Sequence, residues 1–274
     1  MHPHTFYSTL FDPEKGNEVF VVMSFAPEFN NCWLQIIKPA VESRGLIANR
    51  VDYRTSGDSI VQDIIDGIAH SQLVLADISS SPMADRNRVI WPQRNANVMW
   101  EVGIAHTMRT PDEVLLVRTD HDDSIFDLTQ FRVFNYDPRD VRGSRKFLED
   151  RIDDRIKLLE KTQDVLVKRC LDLLDPHSLE FFLFKCGWSK PFEIPSAASV
   201  NSVSRLFELG LLRTSKLDIC PSKNPNQVEL RTLAEVTPFG NKVRAYTFSQ
   251  MRMTEEAKKA IQERQNAGGQ SPQS

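Results

Sequence analysis

The chain has 274 residues, of which 41% are hydrophobic and 26% are charged, and its formal net charge is −3. This balance gives no sign of binding to nucleic acid or membrane, and the length favours two domains. No apolar run approaches the roughly 20 residues that a membrane span needs. The first residues, MHPHTFYSTLFDPEKG, also lack the pattern of a secretory signal. We therefore expect a cytoplasmic protein without membrane contact.

Common signatures of metal and enzyme sites are missing from the sequence. No spacing typical of metal ligands or of a disulfide framework joins the four cysteines, which are Cys32, Cys170, Cys186 and Cys220. There is no GxGxxG, no GxxxxGK[ST] and no GxSxG, so a Rossmann dinucleotide site, a P-loop and a nucleophile elbow are not predicted. His70 and His106 fall on predicted helices without a paired Ser or Cys. We expect no bound metal and no resident cofactor.

The first half of the chain alternates apolar, β-rich runs with helical patterns. The predicted strands cover residues 18–25, 47–54, 72–79, 113–120 and 131–137. The predicted helices cover residues 31–46 and 59–71, with a third that begins near residue 95. This order predicts an α/β fold with a parallel five-stranded sheet, helices on both faces, and a ligand crevice at the carboxyl ends of the strands.

The second half is predicted to be mostly helical. Residues 144–175 read as a long connecting helix, for which packing on the sheet and dimer formation are both open. Residues 176–254 combine two helical patterns, a polar stretch and a helix that begins at Thr-Pro-Phe-Gly, and they resemble a small α+β winged-helix domain. Residues 1–17 read as an N-terminal extension, and residues 255–274 as a helix end with QNAGGQSPQS as a disordered tail.

The charge of the winged-helix-like segment differs from that of the remainder. Residues 176–254 hold 10 Lys or Arg against 6 Asp or Glu, whereas the other residues hold 24 against 31. VSRLFELGLL, in the position of a recognition helix, has Arg205 as its one basic residue. Contact with DNA and contact with a partner protein therefore both remain open.

Glu101 stands out in the predicted helix RNANVMWEVGIAHTMR, residues 94–109. At 100° per residue it falls inside the apolar arc formed by Val98, Val102, Ala105 and Met108, where a surface glutamate is not expected. Asn95 or Asn97 is the natural N-cap. We expect the nearby positive end of the helix dipole to keep Glu101 ionised, as a nucleophile or as a stabiliser of a cation. A glutamate that only compensates the helix dipole is the alternative.

Polar side chains also follow the predicted strands and should meet at the crevice. The candidates are Ser24, Phe25, Asp52, Arg54, Asp77, Arg118 and Asp120, with Asn97 at the start of the helix. Five arginines are candidates for holding phosphates, which favours a nucleotide over a free nucleoside; they are Arg50, Arg54, Arg86, Arg88 and Arg94. A solvated basic loop is the alternative for the arginines, and capping of a turn is the alternative for Asp77.

Residues 18–137 resemble the nucleoside 2-deoxyribosyltransferase-like group, which is close to TIR domains, including TIR-like NAD-cleaving domains of bacterial antiviral defence. ADIS followed by NANVMWEVGIAHTM is the most specific part of the resemblance. It implies a flavodoxin-like fold with strand order 2-1-3-4-5, a glutamate at Glu101 that attacks or stabilises the anomeric carbon, and an aspartate at Asp77 beside the base. The Arg-rich insert at residues 80–94 and the second domain depart from the pattern of the group.

The resemblance and the position of Glu101 together suggest an enzyme that cleaves the N-glycosidic bond of a nucleotide. NAD or a related nucleotide would be the substrate, and the enzyme could act as a homo-oligomer. Two other functions stay open at this point. One is a non-catalytic nucleotide sensor that binds DNA or a partner protein through residues 176–254, and the other is a nucleoside deoxyribosyltransferase.

Overall fold

The computed structural model describes most of the chain, which forms two compact units, Met1–Thr162 and Gln163–Ser274. The described residues are 14–51, 60–84, 90–122, 130–187, 191–194, 200–221 and 228–268. The boundary between the units falls within a long helix. None of the described helices combines the length and the apolar character that crossing a membrane demands.

The first unit is built on a five-stranded parallel sheet. Its strands in chain order are β1 (Glu18–Val22), β2 (Ile47–Asn49), β3 (Leu73–Asp77), β4 (Ser80–Ala84), β5 (Ile90–Arg94), β6 (Val114–Arg118) and β7 (Val133–Asn135). The parallel sheet has the order β2-β1-β3-β6-β7, and β4 and β5 form a separate antiparallel pair. Counting only the strands of the parallel sheet, this is 2-1-3-4-5, which confirms the predicted flavodoxin-like topology.

Helices cover both faces of this sheet, as predicted. A π-helical segment, Cys32–Ile37, continues directly into α1 (Lys38–Glu42), and the remaining helices are α2 (Ile60–His70), α3 (Ala96–Met108) and α4 (Val141–Asp172). Every residue of β3 is buried, as expected for a strand between two helical layers. Gly67 lets α2 approach the sheet, since a Cβ there would lie 2.2 Å from the ring of Phe20.

Two apolar cores stabilise the first unit, one on each face of the sheet. One packs Trp33, Ile36 and Ile37 against β1, β3 and the first part of α4, where Leu148 and Ile152 are fully buried. The other packs the inner sides of α2 and α3 against the opposite face. This second core positions the start of α3 at the carboxyl ends of β1 and β3.

The β4–β5 pair is the main element of this unit that the sequence did not predict. It is formed by the Arg-rich insert, with Ser80 opposite Arg94. The insert contains Pro82 and Pro92 and has no regular alternation of apolar residues, so the usual signals of a strand are weak there.

The second unit consists of helices and a three-stranded antiparallel sheet. Its elements are α5 (Pro176–Phe184), β8 (Phe192–Glu193), α6 (Val200–Glu208), β9 (Leu212–Pro221), β10 (Val228–Val236) and α7 (Pro238–Gly268), with sheet order β8-β10-β9. Thr237 precedes α7, and its Oγ1 accepts a hydrogen bond from Gly240 N at 2.9 Å. The helix continues to Gly268, into the segment that we expected to be disordered. The likeness to a winged helix stays a prediction.

Candidate functional site

The start of α3 is fixed at the sheet by Asn95. The Asn95 side chain accepts hydrogen bonds from Asn97 N at 2.9 Å and Val98 N at 3.3 Å, which confirms the predicted cap. Its Nδ2 donates to Ser24 Oγ at 3.4 Å, just beyond the end of β1. The cap therefore joins the helix to the segment that follows the first strand.

A cavity of about 330 Å³ lies beside this cap, and Glu101 is on its wall. Four predicted site residues line it together, and they are Ser24, Phe25, Asn97 and Glu101. Asp52 and Arg54 lie outside the described residues. The predicted convergence at the crevice is thus present for the residues after β1 and on α3.

Apolar side chains form most of the wall around Glu101. Met23, Val51, Ile64 and Val98 are buried there, and Trp100, half exposed, lies at the side of the cavity. Among the described residues, Glu101 has no hydrogen-bond or ion-pair partner. Burial raises the pKa of Glu101 to about 7 from an ordinary value of 4.5. Burial therefore opposes the ionisation that we expect from the helix dipole, and that expectation stays a prediction.

A second, polar compartment of about 290 Å³ adjoins the first. The two compartments share Ser24, Asn95 and Asn97, and the polar one adds Ser79, Ser81 and Arg94. Hydroxyl and amide groups there can donate to or accept from a sugar or a phosphate. Together the compartments form a crevice with one apolar end at Glu101 and one polar end at the start of α3.

Asp77 lies in a buried network and does not line either compartment of this crevice. It accepts hydrogen bonds from Ser79 N at 3.0 Å, from Ser79 Oγ, and from the Tyr136 hydroxyl at 2.6 Å. Burial raises the pKa of Asp77, although these hydrogen bonds oppose the shift. A role for Asp77 beside the base stays a prediction, but the structure gives it a clear part in joining β3 to the end of β7.

The predicted basic residues that the structure describes mostly interact with other groups of the protein. Arg118 Nη1 donates to the Asp122 carbonyl oxygen at 2.9 Å and does not line the described crevice. Arg94 Nη2 pairs with Asp120 at 3.2 Å, and its Nη1 donates to the Ile78 carbonyl oxygen.

Arg50 is buried, with its guanidinium 5.1 Å from the Phe25 ring centroid and 4.8 Å from that of Trp33. It therefore supports Phe25 from the protein side. Arg86 and Arg88 fall outside the described residues. Of the described candidate arginines, Arg94 alone lines the crevice.

Sequence reasoning did not single out Trp100, Ile60 and Val61, which also line the Glu101 cavity. All three are exposed large apolar side chains. The sequence places Trp100 on the solvent side of its helix and predicts Ile60 on the inner face of α2, but Ile60 is exposed in the structure. The available signal for a pocket wall was that several large apolar side chains occur at the starts of α2 and α3.

Among the described residues, no three His, Cys, Asp or Glu side chains come together in a way that could hold a metal ion. Cys32, Cys170 and Cys186 are buried free thiols. No protein-family model matches the chain, and no curated protein matches it significantly.

Proposed function

We propose that the chain cleaves the N-glycosidic bond of a nucleotide, with NAD as the first substrate to test. The observation that carries this proposal is the unpartnered Glu101 carboxyl on the wall of an apolar cavity. A partly buried carboxylate without a partner among the described residues costs stability, and such costs are typical of functional sites. The resemblance of residues 18–137 to nucleoside 2-deoxyribosyltransferases and TIR-like domains supports the same reading.

Cleavage of the C1′–N bond sends its electron pair to the base and leaves positive charge on the ribose ring. An ionised Glu101 beneath C1′ would stabilise that charge or form a covalent ribosyl ester, which water then hydrolyses. The apolar wall strengthens this effect because little water is present to screen the carboxylate. With a pKa of about 7, Glu101 is about half ionised at neutral pH, which leaves a large reactive fraction.

The nature of the leaving group favours NAD over a neutral nucleoside. Most neutral bases must be protonated as they leave, whereas the nicotinamide of NAD is cationic and leaves as a neutral molecule. Among the described residues of the Glu101 cavity, the one carboxyl group is Glu101 itself. A substrate that needs no second acid suits this cavity best, with its ribose and phosphates toward Ser24, Asn97 and the polar compartment.

Base release from NAD and from a panel of nucleosides tests the proposal. We expect release from NAD by the full chain, and a loss of at least about 100-fold in Glu101→Gln. Glu160→Gln, an exposed glutamate on α4, is the matched control and should retain full activity. The assay should include high protein concentrations, so that an activity that requires self-association is also detected. No turnover of any substrate under these conditions contradicts the proposal.

A nucleotide sensor without turnover is the second candidate. The order of helices and antiparallel strands in the second unit supports it, because a domain of that kind can contact DNA or a protein. Arg205, however, is engaged with Glu208 Oε2 at 3.1 Å and with the Leu173 carbonyl oxygen at 3.4 Å. Nucleotide binding without base release, together with salt-dependent DNA binding, would favour the sensor.

Deoxyribosyl transfer is the third candidate, and it uses the same carboxylate. A second base added to the reaction distinguishes it from hydrolysis. Transfer yields a new nucleoside, whereas hydrolysis yields free sugar and base in equal amounts.

A further inference from the structure

A second cavity, of about 430 Å³, lies at the β7 edge of the parallel sheet. It is bounded by α3, β6, the segment before β7, and α4. We call it the edge cavity. Its volume is within the range of about 300–1,000 Å³ that is usual for small-molecule sites. It shares no lining residue with the two compartments of the Glu101 crevice.

Aromatic rings form flat surfaces in the edge cavity. The rings of His106 and Phe131 are stacked, with centroids 4.0 Å apart and planes inclined by 22°. Phe134 provides a further ring, and the guanidinium groups of Arg132 and Arg151 lie 5.1 Å and 5.5 Å from its centroid. A planar ligand group can therefore stack on aromatic rings or on guanidinium planes here.

The lining of the edge cavity contains more positively charged than negatively charged side chains. Two arginine–aspartate pairs are present, Arg155 with Asp112 at 2.8 Å and Arg151 with Asp154 at 3.2 Å. Arg132 has no acidic partner among the described residues, so the cavity carries one excess positive charge. In addition, none of the described residues accepts a hydrogen bond from the buried Nε of Arg151. Two guanidinium groups over one ring also repel each other, and an anion between them would relieve that repulsion.

We propose that the edge cavity is a second ligand site, which binds a phosphorylated nucleoside. The phosphate would accept hydrogen bonds from the guanidinium groups of Arg132 and Arg151, which both line the cavity, and the base would stack on the aromatic rings. Both positively charged groups flank Phe134, so one ligand can reach them together.

One helix, α3, lines both the edge cavity and the Glu101 cavity. His106 follows Glu101 by five residues on α3, so the two side chains diverge by roughly 140° around the helix axis. One helix thus presents a side chain to each cavity. The edge site does not depend on the proposed glycosidase activity.

Equilibrium binding of AMP to the full chain tests the proposal, with adenosine, inorganic phosphate and indole-3-carboxylate as comparison probes. We expect saturable AMP binding that Arg132→Gln and Arg151→Gln each weaken at least tenfold. Arg142→Gln, an exposed arginine in the first turn of α4, is the matched control. AMP bound in the Glu101 crevice, which Asn97 lines, is recognised as the part of the binding that Asn97→Ala weakens and that the two arginine variants leave intact.

Four outcomes would overturn the proposal. They are no AMP binding, AMP binding that responds to Asn97→Ala but to neither arginine variant, binding of phosphate as tight as that of AMP, and binding of the aromatic carboxylate in place of AMP. Arg132 is exposed, so Arg132→Gln should not disturb folding, whereas Arg151 is partly buried. A loss of binding in both variants therefore reports on the site and not on misfolding. Circular dichroism of both variants should match that of the unaltered chain.

Discussion

Two glutamates near opposite ends of α3, Glu113 buried and Glu101 partly buried, show how differently one protein can treat the same side chain. Glu113, just after the helix, accepts hydrogen bonds from Thr110 N at 2.9 Å and Thr110 Oγ1 at 3.0 Å, and pairs with Arg109 and Lys15. Burial alone would raise the pKa of Glu113, but the charges of Arg109 and Lys15 lower it to about 2. Glu101 has no such partners, and its pKa rises to about 7.

The difference separates a structural carboxylate from a candidate functional one. Arg109 donates to the carbonyl oxygens of Ile68, Ser71 and Gln72, so the Glu113 cluster fastens the ends of α2 and α3 to each other. Nothing comparable is gained at Glu101. A partly buried carboxyl group without partners among the described residues supports the proposed function, in which Glu101 acts on a substrate.

The largest effect is expected at the structural glutamate. Glu113→Gln should lower the free energy of unfolding by about 3 kcal/mol, because it leaves the buried Arg109 without its carboxylate. Urea unfolding followed by tryptophan fluorescence measures this change. Because the folded pKa is depressed, the contribution is present above pH 4.5 and is lost as the pH falls toward 2. A loss below about 1 kcal/mol at neutral pH would contradict a structural role.

The pH dependence of base release is the next effect in size. If the ionised form of Glu101 acts, kcat/KM for NAD should rise about tenfold per pH unit below 7 and level off above it. Circular dichroism across the same range controls for unfolding. A rate that instead falls as the pH rises through 7 would indicate that Glu101 acts as an acid.

Asp77→Asn should have a smaller effect on turnover than Glu101→Gln. The side chain does not line the crevice, and the asparagine Oδ1 can still accept from Ser79 while its Nδ2 donates to the Tyr136 hydroxyl oxygen. We expect base release from NAD to fall less than tenfold. An equal loss in the two variants would place Asp77 in the reaction and remove the distinction between them.

The smallest effect is a gain in stability from Glu101→Gln. The folded pKa of Glu101 is raised, so folding is favoured by protonation below pH 4.5, and that advantage is lost as the pH rises through 7. The variant should therefore gain on the order of 1 kcal/mol at pH 8, a value reduced for partial solvation, and almost nothing at pH 4. Urea unfolding at both pH values measures it. Destabilisation at pH 8 would mean that Glu101 is held by the fold.

Much of the fold was predictable because local patterns determine it. β3 is apolar up to Asp77 and therefore indicated a strand covered on both faces, and alternation of strands with helices indicated the parallel sheet. The β4–β5 pair was not predictable, because prolines and arginines hide the strand pattern of the insert. The predicted strands at residues 18–25 and 131–137 are a few residues longer than β1 and β7. A strand ends where its hydrogen bonds to the neighbouring strand end, and that neighbour is distant along the chain.

The sequence predicted the position of the candidate site but not the shifted pKa of Glu101. Helical phase alone predicted Glu101 on the inner side of α3, and residue type limited the N-cap to Asn95 or Asn97, of which the structure uses Asn95. The pKa of Glu101 depends on Ile64 and Met23, which come from other elements and remove water. Asp77 gave a similar signal, yet its partner Tyr136 lies 59 residues away along the chain, and that contact could not be read from the sequence.

A crystal structure with a non-hydrolysable NAD analogue, in which carbon replaces the ring oxygen of the nicotinamide ribose, tests the central claim most directly. We predict that C1′ lies within about 3.5 Å of a Glu101 carboxylate oxygen, the distance of a reactive arrangement. The nicotinamide would occupy the apolar cavity, and the phosphates would lie toward Ser24 and Asn97. An analogue that binds with C1′ away from Glu101 would contradict the proposed function.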